Sequence, residues 1–81
     1  MILHSTQELA EYIRDCRKRQ KLSQAEVGDR VGIKQATISS FENNPEGTKL
    51  ETLFKLMSAL DLELQVIPKE KAFNQGWQEE W

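Results

Sequence analysis

The chain has one cysteine and one histidine among its 81 residues, and these two scarcities exclude several kinds of protein. Cys16 alone cannot close an internal disulfide, and with His4 as the only histidine the sequence cannot assemble a zinc site. No histidine, cysteine or carboxylate pair is spaced with partners for nucleophilic or acid–base chemistry, so an enzyme is the weakest interpretation. We therefore expect no metal, no cofactor and no small-molecule ligand.

The sequence also lacks a long apolar segment. No stretch approaches the roughly 18 residues that would span a membrane, and residues 1–5 have neither the basic nor the apolar region of a secretory signal. At 81 residues the chain is shorter than a common domain, so we expect one domain with at most a tail. These features predict a cytoplasmic protein whose small core is helped by a partner subunit.

Acidic and basic residues are unevenly distributed along the chain, which has a net charge of -2. Between Arg14 and Lys34, seven basic residues stand against three acidic ones, whereas residues 61–81 are acidic. A local basic excess is where an anionic partner would dock. The alternative is a helix end whose Lys and Arg residues only complement its own dipole, and charge alone leaves both interpretations open.

Three capping-box patterns, at 5–8, 23–26 and 48–51, each precede apolar residues at helical spacing. They predict a first helix over about 6–20, a second of about two turns ending at Gly32, and a last one that continues to Leu60. Residues 34–43 form a short third helix in this scheme, with Ile38 and Phe41 on one face, and Pro45 follows its end. Cys16 and Met57 lie on the apolar stripes and are predicted to be core residues.

Residues 60–66 alternate between apolar and polar side chains, and Pro68 closes the segment. This alternation predicts one strand, although three of the apolar residues would also fit a helix. A lone strand in a helical domain has no partner in its own chain, so its edge predicts pairing with a second copy. The dimerisation residues would be Leu62, Leu64 and Val66. Beyond Lys69 the sequence has no periodicity, and we expect a tail that is disordered in isolation.

The second and third predicted helices have the residue types of a helix-turn-helix unit. Two helices that cross steeply need a small residue at their contact and a glycine in the turn, and Gly28 and Gly32 supply these. The outer face of the third helix opens with side-chain types that read bases in the major groove, where Lys binds guanine, Gln binds adenine, and Ala or Thr touches the thymine methyl. These residues are Lys34, Gln35, Ala36 and Thr37. Gln24 begins the second helix, where backbone amides face a phosphate.

Residues 22–43 resemble the lambda-repressor-type (Xre family) helix-turn-helix. More narrowly, the runs GIKQATIS at 32–39 and FENNP at 41–45, the helix and short alternating segment that follow, and the terminal Trp81 resemble the HipB-type antitoxins. The resemblance implies an all-α, lambda-repressor-like helix-turn-helix bundle with one C-terminal β-strand that pairs across a dimer. That domain would span 5–67, and a flexible C-terminal tail would span 68–81.

The resemblance also implies a function. Proteins of this type are sequence-specific transcriptional repressors that bind palindromic operators of their own operon in the major groove, and they neutralise a HipA-like Ser/Thr kinase toxin. The implied location is cytoplasmic, and nucleoid-associated when the protein is bound to its operator. Ala25 departs from the HipB pattern, which has a hydroxyl residue there, so the resemblance does not imply the corresponding hydrogen bond to DNA. By position, the base-contacting residues are Lys34, Gln35, Ala36 and Ser39, the DNA-backbone-contacting residues are Ser23, Gln24 and Thr37, and the toxin-binding residue is Trp81.

Two other functions stay open at this stage. The first is a phage-type or metabolic Xre repressor without a toxin partner. Such a repressor would not need Trp77 and Trp81, because large aromatic residues in an acidic tail are typical anchors for a partner's pocket. The two tryptophans would fit this alternative only if the tail folds back on its own domain. A protein-interaction module that has lost DNA binding would suit the acidic net charge. Lys34 and Gln35 at the start of the third helix argue against this second alternative.

Overall fold

The protein is described here from a computed structural model that covers residues 2–69, and in that range four α-helices pack around one core. The elements are α1 (Thr6–Arg19), α2 (Gln24–Val31), α3 (Gln35–Asn43), a 3-10 turn (Pro45–Gly47) and α4 (Leu50–Ala59). The helices predicted from the sequence are thus all present. In the described range no helix is long and apolar enough to cross a membrane.

The predicted capping box at the start of α4 is wrong. Thr48 closes the preceding 3-10 turn, since its backbone N–H donates to the Pro45 carbonyl over 3.0 Å. The residue that caps α4 is therefore Lys49, and its side chain makes no capping hydrogen bond. The other two predicted capping residues, Ser5 and Ser23, each accept from the backbone N–H three residues later, as expected.

The core lies between the apolar faces of all four helices. Cys16 and Met57 are buried within it, as predicted, but Leu50 and Phe54, on the predicted apolar stripe of α4, are 71% and 51% exposed. They lie on the edge of α4 that turns away from the other helices. The buried core residues are Ala10, Ile13, Cys16, Val27, Ile38, Phe41, Leu53, Leu56, Met57, Ala59 and Leu60.

Helices α1, α2 and α4 end in the same way, by turning an apolar residue back toward the core. The residue beyond each end is left-handed, with φ of 60° at Lys21, 72° at Gly32 and 60° at Asp61. The next backbone N–H then donates to the carbonyl five residues earlier, as in a Schellman motif. The apolar residues turned inward in this way, Leu22, Ile33 and Leu62, all pack against the core.

Residues 60–66, where the sequence predicts a strand, contain no strand in the described chain, and residues 62–68 have no regular secondary structure. Leu62 packs against the core, whereas Leu64 and Val66 are 52% and 85% exposed. Strand hydrogen bonds need a neighbouring strand, and residues 2–69 of a single chain contain none. The predicted tail residues Trp77 and Trp81 lie outside the described residues.

Gly28 is the point where α2 approaches the start of the next segment most closely. A Cβ atom added there would overlap the backbone carbonyl oxygen of Ile33 and would lie 3.3 Å from Cδ1 of Ile38. The Ile33 N–H also donates to the Gly28 carbonyl over 2.9 Å. The prediction that Gly28 is the small residue at the helix contact is therefore confirmed.

We predict that Gly28→Ala lowers the free energy of unfolding by about 1 to 3 kcal/mol, because the added methyl group displaces backbone rather than a side chain. Gly47→Ala is the matched control, since a Cβ there has no neighbour within 4 Å. Urea denaturation monitored by circular dichroism measures both variants. Equal stabilities for the two would show that the α2 contact is not as tight as described.

Candidate nucleic-acid interface

The start of α2 is fixed by a capping box. Ser23 Oγ accepts from the Glu26 backbone N–H over 3.0 Å, and Glu26 Oε1 accepts from the Ser23 N–H over 2.7 Å. The Ser23 backbone amide, and to a smaller extent its hydroxyl, hold the pKa of Glu26 below its ordinary value of 4.5. The first turn of α2 is therefore locally ordered, with Gln24 as its first helical residue.

The start of α3 is exposed to solvent. Lys34 caps the helix through its backbone only, because its carbonyl accepts from Thr37 and Ile38 while its side chain makes no capping bond. The side chains of Lys34, Gln35, Ala36 and Thr37 are all exposed. Ser39 is half-buried, and both its carbonyl and its Oγ accept from Asn43 Nδ2, over 2.9 Å and 3.2 Å.

Three polar side chains join the starts of α2 and α3. Gln24 Nε2 donates to Glu42 Oε1 over 2.9 Å, and Gln24 Oε1 accepts from Gln35 Nε2 over 3.4 Å. The sequence predicted separate roles for Gln24 and Gln35, on DNA backbone and bases. The structure brings the two side chains together and links both to the buried end of α3.

Glu42 is a carboxylate in the core-facing side of α3, and Arg17 of α1 neutralises it. Arg17 Nε lies 2.7 Å from Glu42 Oε2 and Arg17 Nη2 lies 3.0 Å from Oε1, with side-chain exposures of 11% for Arg17 and 4% for Glu42. Arg17 Nη1 also donates to the Leu22 carbonyl over 2.8 Å. The ion pair thereby connects α1, the turn that follows it, and α3, and it holds Gln24 through Glu42.

These contacts correct the charge distribution inferred from the sequence. Arg17 was counted in the basic segment, but its charge is compensated by Glu42, which lies outside that segment in sequence. Arg30 points its guanidinium group to the end of α4, where Nη1 donates to the Ala59 carbonyl over 3.0 Å. The exposed basic residues of the segment are Lys18, Arg19, Lys21, Arg30 and Lys34, and among them Arg30 has its guanidinium group in the bond to Ala59.

Sequence reasoning missed the Arg17–Glu42 pair, although one signal pointed to half of it. Glu42 comes four residues after Ile38 and one after Phe41, so it falls on the buried stripe of α3. A carboxylate at a core position requires a cationic or hydrogen-bonding partner. Nothing in the spacing identifies Arg17, because it lies 25 residues earlier in the chain.

Helices α2 and α3 pack on each other with a close contact at Gly28, and α3 carries an exposed polar row at its start. This arrangement defines a protein of the helix-turn-helix class. A family model described as helix-turn-helix matches residues 13–67. Antitoxin HipB of Escherichia coli (strain K12) is 39% identical over 70 residues, which cover 86% of this chain and 80% of that protein. The chain belongs to the helix-turn-helix family and, within it, to the HipB-type antitoxins.

Further relatives and solved structures agree with this assignment. Antitoxin HigA1 of Mycobacterium tuberculosis (strain ATCC 25618 / H37Rv) is 45% identical over 51 residues, covering 63% of this chain and 34% of that protein. HipB chains in a HipA-HipB-O2-O3 complex and in a HipB-O4 20mer complex each have a TM-score of 0.83, 38% identity and coverage of 85% of this chain and 97% of theirs. These relatives are antitoxins and not enzymes, so the expectation that this chain is not an enzyme is confirmed.

We predict that Glu42→Gln lowers the free energy of unfolding by about 3 kcal/mol, because it leaves the buried Arg17 cation without a counter-charge. Glu51→Gln is the matched control. It breaks the exposed pair with Lys55, in which Nζ and Oε2 are 4.0 Å apart, and should cost less than about 0.5 kcal/mol. Urea denaturation of the two variants measures the difference. A small, equal loss in both would show that the Arg17–Glu42 pair adds no more than a surface pair.

Proposed function

We propose that the protein is a homodimeric repressor that places α3 in the major groove of palindromic operators of its own operon, and that it is also an antitoxin that neutralises a HipA-type Ser/Thr kinase toxin. The observation that carries the proposal is the exposed polar row at the start of α3. Its Gln35 is linked by hydrogen bonds through Gln24 and Glu42 to the buried Arg17. The row lies on a chain that is 39% identical to Antitoxin HipB.

Base recognition by α3 rests on what its side chains have free. Lys34 makes no capping bond, so its ammonium group can reach guanine O6 and N7. Gln35 uses one amide hydrogen on Gln24 and keeps its oxygen and its second hydrogen, which are the two atoms that a bidentate contact to adenine requires. The Ala36 methyl group suits the thymine methyl. Ser39 accepts from Asn43 and keeps its own hydroxyl hydrogen for a base.

The backbone-contacting role belongs to the start of α2. Gln24 gives one amide hydrogen to Glu42 and keeps the second for a phosphate oxygen, next to the positive end of the helix dipole. Ser23 and Thr37 are exposed and add hydroxyl donors. Lys18, Arg19 and Lys21 surround the adjoining turn with positive charge, which would strengthen binding to DNA of any sequence.

Dimerisation through the segment after α4 is supported by its exposed apolar side chains. Leu64, Val66 and Ile67 are 52%, 85% and 43% exposed, so three apolar side chains within four residues are available for a partner to remove from water. Leu62 anchors the segment to the core, and Leu62, Leu64 and Phe54 line an open groove with the end of α4. A second copy would supply both the missing strand and the cover for this groove. The domain would then span 5–67 and the tail 68–81.

The antitoxin function is supported by the relatives rather than by the described residues. The HipB chain in the HipA-HipB-O2-O3 complex aligns with 85% of this chain, which favours a HipA-like partner over a phage-type or metabolic repressor without a toxin. Trp81, in the tail, remains the proposed toxin contact. An indole at the end of a chain offers a large apolar surface and one N–H donor to a pocket.

We predict that Lys34→Ala weakens binding to the operator by about 1 to 3 kcal/mol per site and leaves binding to a scrambled duplex nearly unchanged, because it removes a guanine contact. Fluorescence anisotropy with both duplexes at one salt concentration measures this selectivity. Lys55→Ala is the control for loss of one positive charge, since Lys55 lies on α4 beside Glu51. An equal loss on both duplexes would limit Lys34 to phosphate contact, and no preference of the wild type for any sequence would contradict the repressor function.

We predict that truncation before Phe73 reduces affinity for a HipA-like kinase toxin while operator affinity and dimerisation are unchanged. The lost contact is the burial of Trp81 in a pocket of the kinase. This burial could contribute a few kcal/mol to the binding free energy, from which the cost of ordering the tail is subtracted. Titrations of full-length and truncated protein against the kinase and against operator DNA separate the two effects. Unchanged kinase affinity would place the contact on the folded domain, and weakened DNA binding with lower thermal stability would show that the tail packs on its own domain.

A further inference from the structure

We infer that Arg30 and Gln20 are positioning residues that fix the spacing between the two recognition helices of the dimer, and therefore the spacing of the two operator half-sites that the protein accepts. The inference rests on the proposed function, since it concerns a dimer bound to a palindrome. It assigns a role in specificity to two side chains that lie away from the start of α3.

The first observation is that the end of α4 is bonded to two other helices. The last carbonyls of a helix have no partner within the helix. In α4 the Met57 and Ser58 carbonyls accept from the backbone N–H groups of Leu62 and Asp61, over 2.8 Å and 3.2 Å. The next two carbonyls accept from side chains of other elements.

Those two side chains come from the DNA-binding half of the molecule. Arg30 Nη1, in the last turn of α2, donates to the Ala59 carbonyl over 3.0 Å. Gln20 Nε2, at the residue that caps α1, donates to the Leu60 carbonyl over 3.0 Å. Ala59 and Leu60 are 8% and 2% exposed, and both hydrogen bonds are partly buried, so loss of a donor there costs stability. A cation at the negative end of the helix dipole is also favourable.

The second observation is that the chain changes direction immediately after this point. Asp61 is left-handed, with φ of 60°, and Leu62 returns to the core, while Leu64 and Val66 project into solvent. The dimerisation segment therefore leaves the domain from a backbone that Arg30 and Gln20 hold.

Together these observations connect α3, the proposed recognition helix, to the dimerisation segment through α2 and the end of α4. Arg30 belongs to α2, which packs on both α3 and α4 and which meets the segment before α3 at Gly28. The orientation of the dimerisation segment relative to α3 is thereby set by these hydrogen bonds, together with the packing of α4 and Leu62 on the core, rather than by a flexible connection. In dimeric helix-turn-helix proteins that orientation determines the distance between half-sites, roughly one helical turn of DNA or a multiple of it.

The test compares wild type with Arg30→Met, which keeps the apolar stem and removes the donor, and with the double variant Gln20→Ala/Arg30→Met. The probes are duplexes that carry two copies of the preferred half-site, with the central spacer shortened or lengthened by one and two base pairs, and a duplex with a single half-site. Anisotropy titrations at one salt concentration give a spacing profile for each protein. Arg30→Lys, which keeps a donor, and Lys55→Met, which removes a charge on α4, are the controls.

Wild type, Arg30→Lys and Lys55→Met should each bind the optimal spacer about tenfold or more tightly than spacers one base pair away. Arg30→Met and the double variant should lose most of that discrimination, or shift its optimum, while binding the single half-site as wild type does. A merely stabilising role would leave the profile unchanged, and so would a phosphate contact, which lowers affinity for all duplexes alike. An unchanged spacing profile for the double variant, with folding checked by circular dichroism, overturns this inference and leaves the proposed function intact.

Failure of the proposed function gives a different result. If wild type sediments as a monomer at titration concentrations and prefers no spacer, the protein does not bind palindromes as a dimer. That outcome overturns the proposed function and this inference with it.

Discussion

The buried ion pair between Arg17 and Glu42 is the constraint on which the geometry of the DNA-facing surface depends. Glu42 is held in the core side of α3 with 4% of its side chain exposed, and Arg17 and Gln24 donate hydrogen bonds to its two carboxylate oxygens. Apolar residues in place of such a pair often give equal stability. An apolar pair, however, could not accept the hydrogen bond that orients the Gln24 side chain, and Gln24 in turn orients Gln35.

Orientation of these amides before DNA arrives affects affinity directly. Ordering a flexible side chain at an interface costs roughly 0.5 to 1.5 kcal/mol, and for Gln24 and Gln35 part of that cost is already met in the folded protein by the bonds to Glu42 and to each other. The Lys34 side chain is exposed and makes no capping hydrogen bond. The start of α3 thus combines one exposed cation with an amide pair that hydrogen bonds hold, which suits a surface that must first attract a phosphate backbone and then distinguish bases.

The sequence predicted the helices and the helix-turn-helix unit because their signals are local. Capping boxes, the left-handed Gly32 and the apolar stripes each depend on residues within one or two turns, and Gly28 was identified by the demand for a small residue at a crossing. The Arg17–Glu42 pair and the bonds from Arg30 and Gln20 to α4 join residues 25 to 40 positions apart, and no local pattern specifies such partners. Thr48 shows a different limit, since its hydroxyl type matched a capping box while the preceding proline turn had already used its backbone N–H. The segment at 60–66 has a strand's alternation but no strand in the described chain, because strand pairing is a property of two segments and not of one.

The ends of α1 and α4 each place a residue other than glycine in the left-handed conformation, which lowers the stability of the fold. Lys21 and Asp61 occupy the left-handed conformation that Gly32 adopts freely at the end of α2, and a side chain there costs roughly 1 kcal/mol relative to glycine. Neither residue contributes to the exposed row of α3. Glycine in place of Asp61 would therefore stabilise the fold without removing a positive charge from the proposed DNA-facing surface, whereas glycine in place of Lys21 would gain stability at the expense of one such charge.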